Sequence, residues 1–165
     1  MPFKLFFALT ALVASVLVAP SARAQQIFIS GEAGVALLGP PLVPLDQGVV
    51  GLTTRVGVGA EFDNFLLDFD VGAITPTEFG DGGLLVVPSI DAAFVFRAPI
   101  AAVRPYLGGG LDLVTVLTGD GGFALPWAHL TGGVDMRLNS SASVYVEART
   151  YGLETQFSLG SKFRF

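Results

Sequence analysis

Val49-Val50-Gly51-Leu52-Thr53-Thr54-Arg55-Val56-Gly57-Val58-Gly59-Ala60-Glu61-Phe62, then Asp63-Asn64, then Phe65-Leu66-Leu67-Asp68-Phe69-Asp70-Val71-Gly72-Ala73-Ile74, is the stretch that decides the fold. Successive side chains of a strand point to opposite faces. One parity of the first run is Val50, Leu52, Thr54, Val56, Val58, Ala60 and Phe62; the other carries Arg55 and Glu61 among Gly and Thr. Across the two-residue break, Phe65, Leu67, Phe69, Val71 and Ala73 again form an apolar parity, opposite Asp68 and Asp70. Two period-two runs joined by a tight Asp-Asn turn read as a β-hairpin with one greasy face.

The same period extends outward in both directions. Breaks at Gly, Pro, Asp, Asn and Ser clusters divide the chain into eight candidate strands: 27–38, 49–62, 65–74, 84–97, 103–117, 127–138, 144–151 and 155–165. Every charged residue inside these spans keeps to the polar parity. They are Glu32, Arg55, Glu61, Asp68, Asp70, Asp91, Arg97, Arg104, Asp112, Asp135, Arg137, Glu147, Arg149, Lys162 and Arg164. The connectors alternate. Those at 39–48, 75–83, 118–126 and 152–154 form one set; those at 63–64, 98–102 and 139–143 form a tight set. Pro88 and Pro105 fall inside proposed strands, where a missing N–H implies bulges or displaced boundaries.

Composition bounds what such a sheet can be. The chain has 165 residues, 52% of them hydrophobic and 14% charged, with a formal net charge of −5. Mean hydropathy is +0.65, above that of an ordinary soluble domain. Zero Cys excludes disulfides, thiolate metal sites and thiol nucleophiles, and a single His excludes a multi-histidine metal centre. Nine basic against fourteen acidic residues leave no positive footprint for nucleic acid. No cofactor motif is present: Gly108–Gly110 and Gly132-Gly133 lie within strands, whereas a phosphate cradle needs a Gly-rich turn opening a helix.

The N-terminus reads as an address. Lys4, the apolar run Leu5–Ala19 and Ala22-x-Ala24 fit a secretory signal peptide over 1–24, cleaved to leave a barrel domain over 25–165. After Ala24 no apolar run is long enough for a transmembrane helix. A closed barrel is the other structure that satisfies its backbone inside lipid.

One apolar and one mixed face admit two answers: a secreted soluble barrel with its charges in water, or a membrane barrel with its charges inside. The polar face is thin in Lys and Glu and rich in Gly, Ser and Asp, and it carries both signs of charge. Both features suit a lumen better than a solvated surface. The expected fold class is all-β: an eight-stranded antiparallel up-and-down transmembrane barrel. Eight strands of ~9–11 residues fit the available length. Phe62, Phe65, Phe94, Phe96, Phe163 and Phe165 gather at the tight-turn end of the apolar face, as an interfacial girdle would. Such barrels keep their short turns in the periplasm, so the tight set and both termini are expected there, and the aromatics support that orientation.

Four segments carry a family likeness: Arg104-Pro105-Tyr106-Leu107-Gly108-Gly109-Gly110-Leu111, Gly132-Gly133-Val134-Asp135-Met136-Arg137-Leu138, Val144-Tyr145-Val146-Glu147-Ala148-Arg149 and Leu159-Gly160-Ser161-Lys162-Phe163-Arg164-Phe165. With them the chain resembles the small eight-stranded outer-membrane barrels of the OmpA/OmpX type. The resemblance implies an integral bacterial outer-membrane protein, monomeric, in contact with outer-membrane lipid and lipopolysaccharide. It also implies that Phe163 and Phe165 form a signal read by the barrel-assembly machinery.

An eight-stranded lumen is just wide enough for side chains to fill. The expected site is therefore a lumen charge network, not a catalytic centre: Glu32, Glu61, Asp68, Asp70, Asp91, Asp112, Asp135 and Glu147 against Arg55, Arg104, Arg137, Arg149, Lys162 and Arg164. A filled, non-enzymatic lumen serving envelope structure or surface interaction leads; a narrow porin-like channel is the alternative. His129-x-Thr131 resembles the His and hydroxyl pair of barrel-type lipid A deacylases. Its parity points it to the lumen, away from lipid. Asp46, Glu78, Asp81, Asp120 and Glu154 are the charges of the outer connectors, all acidic. They read as solvated loop residues, with a Mg²⁺ or Ca²⁺ bridge to lipopolysaccharide as the functional alternative.

Overall fold

The computed structural model describes residues 26–38, 49–62, 64–76, 84–98, 100–118, 121–151 and 154–165. Eight strands follow in order: β1 (Gln26–Leu38), β2 (Val49–Phe62), β3 (Phe65–Pro76), β4 (Leu84–Val95), β5 (Val103–Thr118), β6 (Gly121–Arg137), β7 (Ala142–Tyr151) and β8 (Glu154–Arg164). Each pairs antiparallel with the next. β1 closes the barrel on β8, from Phe28↔Arg164 to Leu37↔Thr155. The signal-peptide reading of 1–24, and Asp46, Glu78, Asp81 and Asp120, lie outside the described residues.

The alternation holds around the ring. Arg55 is 4% exposed and its neighbour Val56 67%. All charged residues of the eight strands, among the described residues, take the inward parity. Ile27, Ile29, Leu52, Val58, Leu107, Leu130, Val146 and Leu159 stand exposed on the outer wall. At the short-turn end Phe65 lies 6.2 Å from Phe62 and 5.6 Å from Phe94, ring centre to ring centre. Phe94, Phe96, Phe163 and Phe165 are all exposed there.

Local chemistry explains the short turns. Asn139 Oδ1 accepts the backbone N–H groups of Ser141 and Ala142, each at 2.8 Å, an Asx turn that reverses β6 into β7. Val103 N donates to Ile100 O at 2.9 Å before β5 sets off.

The prolines are tolerated without bulges. The β4–β5 ladder omits Val87 and Pro88 but keeps one register on either side, from Val86↔Thr115 to Ser89↔Asp112. Pro105 lies one step below the last β4–β5 pair and uses its carbonyl, which accepts from Phe96 N at 2.8 Å. Many strand ends differ from expectation by one or two residues: β3 runs on to Pro76, β4 stops at Val95 and leaves Arg97 outside it, and β7 starts at Ala142. Two differences bear on the lumen. β6 begins at Gly121, not at 127, because Pro126 pairs with Leu113 at a height where β6 has no β7 partner among the described residues. There its missing N–H costs little. Glu154 is the first residue of β8, not a connector residue. It pairs with Tyr151 and is 2% exposed on the lumen side, so it is not a loop carboxylate.

The lumen is not filled by charge alone. Ala36, Leu38, Val49, Ile74, Leu85, Val87 and Val114 make a buried apolar cluster at the long-connector end, with Val116 and Trp127 packed against it. Phe28, Leu66, Ala93, Val95 and Tyr106 make a second towards the short turns. The charge network lies between and below these layers.

Candidate functional site: the lumen network

At the short-turn mouth one carboxylate gathers three guanidiniums. Glu61 Oε1 accepts from Arg104 and from Arg137, the latter at 2.7 Å, and Glu61 Oε2 accepts from Arg164 Nε at 3.0 Å. Arg164 spreads further, donating to Asp135 at 2.6 Å and to Ser143 Oγ at 2.9 Å. Parity turns these residues of β2, β5, β6, β7 and β8 inward, and the register sets them at one level.

Above them Lys162 makes no ion pair among the described residues. Its ammonium instead sits 4.5 Å from the ring centre of Tyr145, 5.1 Å from Tyr106 and 5.2 Å from Phe28. A desolvated cation over aromatic faces is held by the ring quadrupoles. The register makes this cage possible. Tyr145 faces Gly160 and Tyr106 faces Gly133 across their ladders. A Cβ on either glycine would collide with the facing tyrosine ring. Each ring thus lies flat over a missing side chain instead of standing into the bore. The hydroxyls then reach upward: Tyr106 donates to Glu147 at 2.8 Å and Tyr145 to Glu32 at 2.9 Å.

The middle layer is the densest. Arg55 lies 3.3 Å from Glu32 and 3.2 Å from Asp70, and donates to Gln156 at 3.1 Å. Arg149 spans four carboxylates: Glu147 and Asp91 at 3.0 Å, Asp70 at 3.3 Å and Asp112 at 4.0 Å. Asp68, expected in the network, makes no ion pair among the described residues, and its Oδ1 is buried without a hydrogen-bond partner.

His129 is a member that charge parity alone does not weigh. Its Nε2 is 2.5 Å from Asp91 Oδ1 and its Nδ1 is 3.2 Å from Asp112 Oδ2, with the ring 5.3 Å from that of Tyr151. Both ring nitrogens face carboxylates, so neither is free to serve as base to a hydroxyl. Thr131 Oγ1 is buried with no hydrogen-bond partner, and both residues are inside the lumen. His129 thus works as part of the ion network, not as half of a nucleophile and base pair. Among the described residues no group of His, Cys, Asp or Glu could hold a metal ion.

On the outer wall a groove of about 520 Å³ runs over Ala33, Val35, Val134, Val146, Phe157 and Leu159. It is apolar and opens to whatever surrounds the barrel. Phe163 and Phe165 are 55% and 77% exposed on that wall. Phe165 N donates to Ile27 O at 2.9 Å, which ties the C-terminus into the closing seam.

Comparison with solved structures identifies the fold. Neisserial surface protein A (NspA) superposes with a TM-score of 0.68 at 17% identity, over 84% of this chain and 97% of that one. A designed transmembrane β-barrel gives 0.60 at 11%, over 85% and 95%. Ail, the attachment invasion locus protein of Yersinia pestis, gives 0.52 at 16%, over 85% and 97%. No family model and no curated protein matches the chain. The chain has the fold of the small eight-stranded outer-membrane barrels, and the OmpA/OmpX-type resemblance fits it.

Proposed function

We propose that this chain is an integral protein of a bacterial outer membrane, a non-enzymatic barrel with a side-chain-filled lumen that serves envelope structure or surface interaction. One observation carries the reading: the exposed wall is apolar, while every charge of the described strands faces inward. In water that arrangement would expose far more contiguous apolar surface than a soluble monomer shows. In a bilayer it is the low-energy one, since a charge facing lipid at mid-depth costs ~2–4 kcal/mol. In this reading the aromatic end lies at the periplasmic interface, with both termini and the short turns below it. Phe163 and Phe165 present the assembly signal. Lipid and lipopolysaccharide surround a monomer.

Two layers support a closed lumen. The apolar cluster fills the long-connector end and the Lys162 cage crosses the bore nearer the short turns. A narrow porin-like channel is the second reading, favoured by the surplus of carboxylates between those layers, which would make any leak cation-selective. Fractionated membranes and planar bilayers test both. The protein should pellet with outer membranes, migrate differently on gels before and after boiling, and add no conductance above background. A soluble, heat-insensitive species would end the membrane reading. Steady cation-selective current from a heat-modifiable species would replace the closed lumen with the channel.

A further inference from the structure

Among the described residues, the short-turn mouth holds more positive charge than its carboxylates use. Three guanidiniums meet there, and the register sets a fourth arginine beside them. Arg104, Arg137 and Arg164 converge on Glu61, and Arg164 also takes Asp135. Arg97 is the fourth. Phe96 N donates to Pro105 O, so the β4–β5 ladder runs on beyond Val95↔Tyr106 and sets Arg97 across from Arg104. β4 ends at Val95, and its alternation continued two residues further turns Arg97 to the side that Val95 faces. Arg97 is exposed and makes no ion pair among the described residues. Four cations against Glu61 and Asp135 leave a surplus of two among those residues.

The cluster has a floor and a rim. Arg164, Glu61 and Asp135 are buried, with side-chain exposures of 1%, 6% and 5%. Arg104 is partly open at 14% and Arg137 is open at 37%. Two guanidiniums share the single oxygen Glu61 Oε1, and Arg137 Nε is buried with no hydrogen-bond partner. Each guanidinium offers five N–H donors in a fixed fork, whereas a carboxylate offers two oxygens. Apart from the buried Arg137 Nε, the donors left over belong to the partly open side chains of the rim. A fork of this kind matches carboxylate and phosphate oxygens in pairs, which an ammonium does not.

We propose that this mouth is an oxyanion site, which seats a carboxylate or phosphate group with Arg97, Arg104 and Arg137 as its rim. The proposed membrane orientation enters in one respect: it makes the periplasm the compartment that presents the anion. Glu61 is the fixed acceptor that holds Arg104 and Arg137 together before the ligand arrives. The anion completes the neutralisation that Glu61 and Asp135 leave unfinished.

The test uses the full barrel folded in zwitterionic detergent, with folding checked by its heat-dependent gel mobility. Inorganic phosphate and succinate are titrated while the arginine Nε–Hε signals are followed by NMR. The signals of Arg97, Arg104 and Arg137 should move saturably, those of Arg55 and Arg149 should stay, and added NaCl should weaken the effect. The Arg97→Gln/Arg137→Gln double variant should bind about tenfold more weakly or worse, as loss of charge-assisted bonds implies. A second arm places the barrel in phosphatidylglycerol or phosphatidylcholine nanodiscs with no soluble anion. Rim signals that respond only to phosphatidylglycerol keep the oxyanion site and assign its ligand to a lipid headgroup. Rim signals that stay fixed in every arm, in a barrel that remains folded, overturn the site. Because the readout is made on purified barrel, that failure is distinct from a failure of outer-membrane location.

Discussion

The middle of the lumen and its short-turn mouth use the same residue types to opposite ends. In the middle, Glu32, Asp68, Asp70, Asp91, Asp112 and Glu147 outnumber Arg55, Arg149, Lys162 and His129, and the layer lies between apolar packing and an aromatic cage. At the mouth the balance reverses among the described residues, and Arg104 and Arg137 reach solvent. The difference teaches where a charge surplus can sit. Far from water an unmatched ion is costly, so one cation is made to serve many anions, as Arg149 does, and Asp68 is the exception that makes no ion pair among the described residues. Near water, screening lowers the cost of an unmatched cation, and the surplus becomes available to a ligand.

The largest effect expected on this contrast comes from Arg149→Met. It strips Glu147, Asp70, Asp91 and Asp112 of a shared cation and should cost ~3–5 kcal/mol, the range for breaking a buried ion network by removing one partner. Urea unfolding in micelles, read by heat-dependent gel mobility, would show it. A loss below ~1 kcal/mol, the value of an exposed pair, would erase the distinction between the two layers. Next comes Gly160→Val. The added side chain drives into the Tyr145 ring, displaces the cage around Lys162 and should cost ~1–3 kcal/mol as overpacking. The same assay applies, and an unchanged midpoint would mean that the ring does not need the glycine. The smallest effect belongs to Arg137→Gln at the mouth. Glu61 keeps Arg104 and Arg164, so the loss should stay within ~0.2–1 kcal/mol. A loss as large as that of Arg149→Met would show the mouth to be as dry as the middle.

The same contrast marks what could be read from sequence. Strand number, pairing of neighbours and the facing of every charge follow from period-two alternation, because a charge is a strong reporter of parity: Arg55, Asp70 and Glu147 needed no partner to be placed. Layering along the bore is another matter. Leu38, Val49, Ile74 and Val87 sit on the polar parity and look like interruptions of it. Only register shows that they stand at one height and pack together. Lys162 carries the right parity for an ion pair, yet three rings hold it, since Tyr145 and Gly160 meet across a ladder whose register their spacing does not reveal. Glu154 reads as a connector residue in the sequence because Gly152 stands just before it, while its burial follows from the pairing Tyr151↔Glu154. Pro126 concealed the start of β6 for a similar reason. A proline forbids a ladder bond on one side, and sequence does not say whether a neighbour is there to miss it.

Everything proposed depends on hydrocarbon touching one parity of each strand. Because the chain has no Cys, single nitroxide labels can be placed on it without background. Ile29→Cys, Val56→Cys and Val71→Cys report the outer wall, and Ser30→Cys, Thr53→Cys and Ser89→Cys the lumen. In reconstituted bilayers, oxygen, which concentrates in hydrocarbon, should relax the first three labels strongly, and the last three should respond weakly to oxygen and to a polar nickel reagent alike. Strong nickel relaxation at positions 29, 56 and 71 would place that wall in water and contradict the account.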